Sequence, residues 1–388
     1  MTACIVGWAH VPFGKIEGAD IESLFASVVG DAIADAGVET SDIDSVHVGV
    51  FNKGFQKQDF VASLVLQAEE GLRFKPATRV ENACATGSAA VHSALDRVAA
   101  KKSRIALVVG AEKMTASAPA DIADNLLSCC YRKEEDAVEG GFAGIFAQIA
   151  QNYFQKYGDC SEALARIAAK NHKNGVGNPY AQMRKDLGFE FCNEISDKNP
   201  YVAGPLRRTD CSLVSDGAAA LVIADTETAL ALNKAIAFRA AVQVNDFLSI
   251  SKRDIIKFDG CREAWGRALE QSRTSLDDLS LVETHDCFTI AELIEYEAMG
   301  LVGEGEGRRA IEEGWTEKDG RLPVNPSGGL KAKGHPIGAT GVSMHALASM
   351  QLMGDAGDMQ IKDAKLAGIF NMGGAAVANF VSVLERLR

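Results

Sequence analysis

Apolar positions along this chain recur with two different periods, and the changes between them mark out its elements. Ala3 to Val6 is a short apolar run closed by Gly7 and reads as a strand. From Ile21 to Ala36 the apolar residues Leu24, Phe25, Val28, Val29, Ala32 and Ile33 fall at the spacing of an amphipathic helix, and Gly37 supplies its stop. A turn, SDID, leads into a strand at Ser45 to Val50. Thr78 to Val80 is a strand-like approach to Ala85 to Ala100, a stretch so uniformly small or apolar that it predicts a buried helix. Ile105 to Val109 is the next strand, ending at Gly110.

A similar order returns further on. Ala235 to Val244 is strand-like and Cys261 to Gln271 helical. The segment TSLDDLSLVETHDCF then echoes SDIDSVHVGVF, pairing Asp42, Ile43 and Val46 with Asp278, Leu279 and Val282. Gly341 to Met353 is expected to start a second small-residue helix, followed by a strand at Leu366 to Phe370. Two rounds of strand–helix–strand–helix–strand predict an internal duplication, with parallel sheets covered by helices. Between the rounds the texture changes: the Cys129–Cys130 pair, the charged run RKEED and polar loops around Asn171 to Asn178 read as an insertion lying over the core. The expected units are residues 1–111 with 209–230, the insertion 112–208, and 231–388.

Composition narrows the functional classes. At 388 residues the chain exceeds one typical domain, and its 47% hydrophobic and 24% charged residues can bury a sizeable core. Its net charge of −12, without any Lys/Arg-rich run, gives no electrostatic reason to bind nucleic acid. Apolar runs such as Ala218 to Ala224 are strand-sized, too short for a membrane span. Nine cysteines at irregular spacing, with no CxxC pair, fit reduced thiols, and the N-terminus has no basic leader before its apolar stretch; the expectation is a cytoplasmic enzyme. The Gly-rich GEGEGRR lacks the strand–GxGxxG–helix setting of a dinucleotide site.

Four places carry candidate chemistry. In ENACATGSAA, Cys84 sits where a strand turns into a helix, whose N-terminal dipole stabilises a thiolate, and Ala83, Ala85 and Gly87 keep bulk away from the sulfur. A buried, inert thiol is the bland alternative. In NPSGGLKAKGHPIGATG, His335 lies in a Gly-rich loop entering a helix. THDCF places His285 and Cys287 two apart at a strand end, where sites gather in α/β folds. A His-x-Cys metal pair would need further ligands that the sequence does not offer, so no metal is expected. Last, Gly373 and Gly374 in NMGGAA read as a turn passing close to another backbone, or as an ordinary hairpin.

Taken together, in order and in wording, these blocks resemble the thiolase superfamily over nearly the whole chain. ENACATGSAA looks like its nucleophile block, KGHPIGATG like its histidine loop, and NMGGAA stands where the family usually has CxGG. HDCF, in place of the commoner NEAF, is similar to the sterol-carrier-protein type of thiolase. The resemblance implies an α/β thiolase fold, duplicated halves in a layered α-β-α-β-α core with an inserted loop domain. It also implies reversible acyl transfer between a 3-ketoacyl-CoA and coenzyme A through an acyl-Cys84 intermediate. In that scheme His335 activates Cys84, His285 and His335 hold the thioester oxygen, and backbone N–H groups of Cys84 and Gly373 form a second oxyanion hole. Ser212 and Phe288 would line the pantetheine tunnel. Coenzyme A would be a substrate, with no permanently bound cofactor. Asn371 replaces the usual second cysteine and cannot move a proton, so Cys287 is the candidate substitute. Homodimers or homotetramers are expected, and a small OB-fold partner is compatible. Left open are another reaction on the same fold (a ketoacyl synthase-like condensation, a CoA-independent acyl transfer, a retro-aldol cleavage) and a non-catalytic subunit.

Overall fold

The computed structural model describes residues 3–51 and 54–388. Its first strand, β1 (Ala3–His10), runs four residues beyond the apolar stretch at its start. Helix α1 (Ile21–Ala36) has the expected bounds because both ends are capped. The Asp20 carboxylate accepts from Ser23 N at 2.8 Å, the Ser23 hydroxyl accepts from Asp20 N at 2.9 Å, and Gly37 takes a left-handed φ of 69°. Strands β2 (Ser45–Gly49) and β3 (Ala77–Val80) precede helix α2 (Thr86–Ala99), and β4 (Ile105–Glu112) closes the first round.

Helices α3 (Pro119–Leu127), α4 (Gly141–Tyr157) and α5 (Ser161–Gly175) and a small hairpin follow before the chain returns to the core with β5 (Gly217–Asp225). The second round comprises β6 (Ile236–Asn245), α6 (Asp259–Ser272), β7 (Leu281–Glu283), α7 (Thr289–Ala298), the short α8 (Gly329–Lys333), α9 (Ile337–Met353), β8 (Leu366–Gly373) and β9 (Ala378–Arg386). Helix α9 begins four residues before the expected Gly341. All but its last residue are buried, so it has no polar face whose start could mark the boundary.

The duplication is visible in the strand pairing. In the first round β1 pairs antiparallel with β5, β5 antiparallel with β4, β4 parallel with β2 and β2 parallel with β3. In the second, β6 pairs antiparallel with β9, β9 antiparallel with β8 and β8 parallel with β7, and an isolated parallel bridge from Val282 to Val324 stands where β3 stands in the first. The echoed segments SDID and LDDL occupy matching short turns ahead of β2 and β7, closed by Asp42 and Asp278. The expected parallel sheets are instead mixed, because β5, β1, β6 and β9 run against their neighbours, and only β2, β3 and β4 in one half and β7 and β8 in the other pair parallel. Nor are the two β layers separate sheets. Cys4↔Ala237 and Ile5↔Ile236 join them into one nine-stranded sheet, ordered β3-β2-β4-β5-β1-β6-β9-β8-β7.

Helices α2 and α9 pack against each other inside this sheet. Helix α2 lies on β2 and β4, while α9 touches β4 and β5 of one half and β8 and β9 of the other. Helix α1 covers the outer face of the first half and α6 that of the second. Where α2 and α9 meet, only glycine fits: a Cβ on Gly87 would stand 2.7 Å from Gly341 N, and one on Gly341 would stand 2.2 Å from Ser88 N. Each half therefore delivers one inner helix, and the loops before those helices face each other.

Candidate active site

Cys84 lies between β3 and α2, two residues ahead of the helix. The turn is tight: Ala83 has φ 48°, a left-handed conformation costly for a residue with a Cβ. It is held by Ala83 N donating to the Glu81 carboxylate at 2.5 Å, Asn82 N donating to the Thr86 hydroxyl at 2.9 Å, and that hydroxyl donating to Ala83 O at 2.6 Å. The matching loop before α9 carries His335. Its backbone N–H donates to the Ser215 hydroxyl at 3.0 Å, and its Nδ1 lies 2.7 Å from the Thr340 hydroxyl. A Cβ on Gly338 would lie 2.3 Å from Ala111 O, and Gly338 N donates to the Glu112 carboxylate at 3.0 Å, which seats this loop on the end of β4.

The third loop follows β7. His285 N donates to the Glu295 carboxylate at 3.1 Å, and the Asp286 carboxylate accepts from Leu330 N at 2.6 Å and Asn171 Nδ2 at 2.7 Å. Lys170, ion-paired with Glu292 at 2.5 Å, balances the buried acids there. Asn371 on β8 completes the ring: its Nδ2 lies 2.8 Å from His285 Nδ1 and 3.2 Å from the Cys84 carbonyl.

These loops bring Cys84, His285 and His335 together. The Cys84 sulfur and one ring nitrogen from each histidine all lie within 4.8 Å of one another, and the imidazoles meet edge to face at 5.2 Å. Three buried donor atoms at this spacing, rather than the His285–Cys287 pair weighed from the sequence, form the soft-metal-like cluster among the described residues. Apart from the neighbouring Cys84 sulfur, Nε2 of both histidines has no hydrogen-bond partner, so both remain available to a ligand. Cys84, Cys287, His335, Ser212 and Phe288 share the lining of one cavity of about 230 Å³, with Met114, Leu126 and Phe142 among its apolar walls. Ser212 N donates to Cys287 O at 2.9 Å, and Phe288 stacks on Phe146 at 4.3 Å. Gly373 is not among the cavity lining. It abuts the Cys84 turn from behind, where a Cβ would lie 2.2 Å from Asn82 O, and it leads into the β8–β9 hairpin.

Electrostatics set the three thiols apart. A hydrogen bond from Cys129, with the His335 and His285 imidazoles beside it, holds the Cys84 thiol well below its ordinary range despite full burial. Cys129 is pushed well above it, first by that same bond and then by burial, so it stays a protonated donor. Burial, with the Cys84 charge nearby, pushes Cys287 well above the usual thiol range too. Burial lowers His285 to about 4.

Cys129 is the residue that sequence reasoning missed. The Cys129–Cys130 pair is visible in the sequence, but nothing in its spacing ties it to Cys84, from which 44 intervening positions separate it. The hydrogen bonds of Asn371 were equally hidden, since the sequence showed only the missing cysteine.

Comparison with known proteins agrees with this geometry. Residues 3–195 match the thiolase N-terminal domain and residues 242–386 the thiolase C-terminal domain-like family. The chain is 35% identical over 388 residues to an acetyl-CoA acetyltransferase of Methanothermobacter thermautotrophicus, covering 98% of this chain and 99% of that one. It is 34% identical to sterol carrier protein 2 of Oryctolagus cuniculus over 363 residues, 89% of this chain and 65% of the relative. Among solved structures, the Ltp2–ChsH2(DUF35) aldolase superposes with a TM-score of 0.86 at 24% identity, covering 100% of this chain and 98% of that one, a likeness of fold. The chain belongs to the thiolase family. It is an enzyme of the acyltransferase class within that family.

Proposed function

We propose that the protein cleaves and forms short 3-ketoacyl-CoA thioesters by acyl transfer through Cys84. The observation that carries this is the meeting of a depressed-pKa thiol with two unengaged imidazole nitrogens, where Cys84 and His335 open onto an apolar cavity and His285 stands behind them. In the cleaving direction the Cys84 thiolate attacks the 3-keto carbon, and the bond between C2 and C3 breaks. Its electron pair becomes the enolate of the departing acyl-CoA, whose oxygen His285 and His335 face. Cys287, kept protonated by burial, gives its proton to C2. The thiol of coenzyme A then returns that proton and attacks acyl-Cys84, releasing a shortened acyl-CoA. Ser212 and Phe288 would flank the pantetheine arm, and Gly373, behind the Cys84 turn, would help hold the backbone donors in place.

The cavity is smaller than the several hundred Å³ usual for drug-sized ligands, which supports short acyl groups such as acetoacetyl. Incubation with acetoacetyl-CoA followed by peptide mass mapping tests the reading: an acetyl group on Cys84, with thiolysis falling as the 3-ketoacyl chain lengthens, is the expected result. An acyl group on another cysteine, or aldol cleavage of a β-hydroxyacyl-CoA without any acyl-enzyme, would replace it. A homo-oligomer working in the cytoplasm, with or without a small OB-fold partner, completes the proposal; among the described residues no helix is long and apolar enough to cross a membrane.

A further inference from the structure

Asn371 occupies the place where a proton-moving cysteine would stand, yet it is fully buried and bonded on one side only. Its Nδ2 faces two groups, the Cys84 carbonyl at 3.2 Å and His285 Nδ1 at 2.8 Å, while its Oδ1 has no partner. The orientation of the amide follows from elementary chemistry. The Cys84 carbonyl can only accept, so the atom turned toward it must be the NH2; a carbonyl oxygen there would set two acceptors against each other. The same NH2 supplies its second hydrogen to His285 Nδ1, which must then be a lone pair. A neutral imidazole with an unprotonated Nδ1 carries its proton on Nε2, which has no other partner, in a ring that has a nitrogen within 4.8 Å of the Cys84 sulfur.

We infer that Asn371 is a positioning residue, fixing His285 as the Nε2–H tautomer so that it presents a hydrogen-bond donor where the enolate oxygen forms. The substitution at 371 is therefore not a gap left by a lost acid–base group. It converts that position into the element that orients one of the two oxyanion donors and ties it to the backbone of the nucleophile. His285 is surrounded by groups that agree with a neutral ring. Its backbone N–H is engaged by Glu295, its edge meets His335, and burial lowers its pKa to about 4, so it stays neutral throughout the range in which the enzyme would work. The inference rests on the thiolase reading for the role of the donor, though not for the tautomer itself.

Nitrogen-15 NMR of histidine-labelled protein reads the tautomer directly, with the His285 signals assigned by their loss in His285→Asn. Wild type and Cys84→Ala, which has no thiol proton to exchange with the rings, should both show the His285 proton on Nε2. Asn371→Asp places an acceptor of the same shape beside Nδ1 and should move the proton to Nδ1. Thiolysis kcat should then drop about 10²-fold or more, the usual effect of losing one oxyanion donor, with KM little changed. Asn371→Leu, similar in size and without polar atoms, should give a mixture of tautomers and an intermediate loss. A His285 proton on Nδ1 in the wild type overturns the inference even if no variant folds, as does an Asn371→Asp protein that keeps Nε2–H. An Nε2–H tautomer in a protein without thiolysis leaves the inference standing and removes the thiolase reading instead.

Discussion

The state of each thiol at this site is set by its neighbours, so thiol reactivity is the property to measure residue by residue. An unperturbed cysteine, with a pKa near ~8.5, loses alkylation rate about tenfold per pH unit below that value, as its thiolate fraction falls. Cys84, whose pKa is depressed chiefly by the Cys129 hydrogen bond, should instead hold a nearly constant iodoacetamide rate down through neutrality. Cys129→Ala removes the largest stabilising partner, so the fall in rate should begin at a higher pH than in wild type. Unchanged profiles in the two proteins would mean that the contact does not control Cys84. Cys287 should behave differently. Cys287→Ala should still accept an acetyl group on Cys84 in a single turnover, while thiolysis drops by the ~10²–10⁴ that positioned acid–base catalysis supplies. Turnover within a few-fold of wild type per folded molecule would exclude it as the proton donor. Cys84 and His335 were legible in the sequence because Gly, Pro and small residues frame them, and His285 because it stands at the end of the echoed strand. The contacts of Cys129 and Asn371 were not, because they are made across the fold, to Cys84 and His285.

At the scale of elements, the crossing of α2 and α9 is the most constrained feature. Gly341→Ala would place a methyl group 2.2 Å from Ser88 N and 2.5 Å from Asn371 Oδ1, and neither backbone nor buried amide can yield cheaply. Overpacking of this kind costs about 1–3 kcal/mol or more, read as a lower urea midpoint, and activity should fall with it because the loops carrying Cys84 and His335 are forced apart. Gly266→Ala is the opposite case. Its Cβ meets nothing within 4 Å, its φ is ordinary and it lies inside α6, so the change should stabilise by about 0.5–1 kcal/mol. Equal responses from the two glycines would show that helix spacing is not what Gly341 protects. Element boundaries were readable where a cap stands, as with Asp20 and Gly37 around α1, and misread where burial is complete. Ile337 to Thr340 looked like a loop because Gly and Pro precede a stretch without amphipathic contrast, whereas packing between two sheet faces makes it the first turn of α9.

For the whole molecule, the histidines govern the response to acid. Burial, foremost, depresses six of the seven: His10, His92 and His172 to about 3, and His47, His285 and His345 to about 4. Each is neutral when folded but takes a proton once unfolded, near its free value of about 6.5, so its stabilisation is complete above that pH and is lost as pH falls toward 4. Asp286, raised to about 7 by burial and then by Glu292, acts in the opposite sense, with Glu283, Glu295 and Glu297, all raised foremost by burial. These acids stabilise most below their unfolded pKa, and that contribution is lost as pH rises through their folded values. The histidines are more numerous, so the urea midpoint should fall slowly from about pH 6 and faster toward pH 4, where unfolded carboxylates also take up protons and the opposition fades. A midpoint as high at pH 4.5 as at pH 6.5 would contradict it. The duplication was legible at this scale from the echo of SDIDSV in DDLSLV. The joining of both halves into one sheet was not, because it depends on a pairing only two residues long.

That joint, with α2 and α9 locked between the halves, also decides how the molecule can breathe. Backbone amides from Ser88 to Val91 and from Val342 to His345 are buried where the two halves meet, so no small opening can expose them to solvent. Their hydrogen exchange should proceed only through global unfolding, at the slowest rates in the chain. The catalytic loops would then sit on the least yielding part of the protein, and a substrate could not enter by parting the halves. Entry and release fall to the other wall of the cavity, which Leu126, Phe142 and Val202 of the inserted segment line together with Cys84. Exchange in 119–145 should be faster than at the crossing and should slow when an acyl-CoA is bound, which would make the motion of this segment the clock for product release.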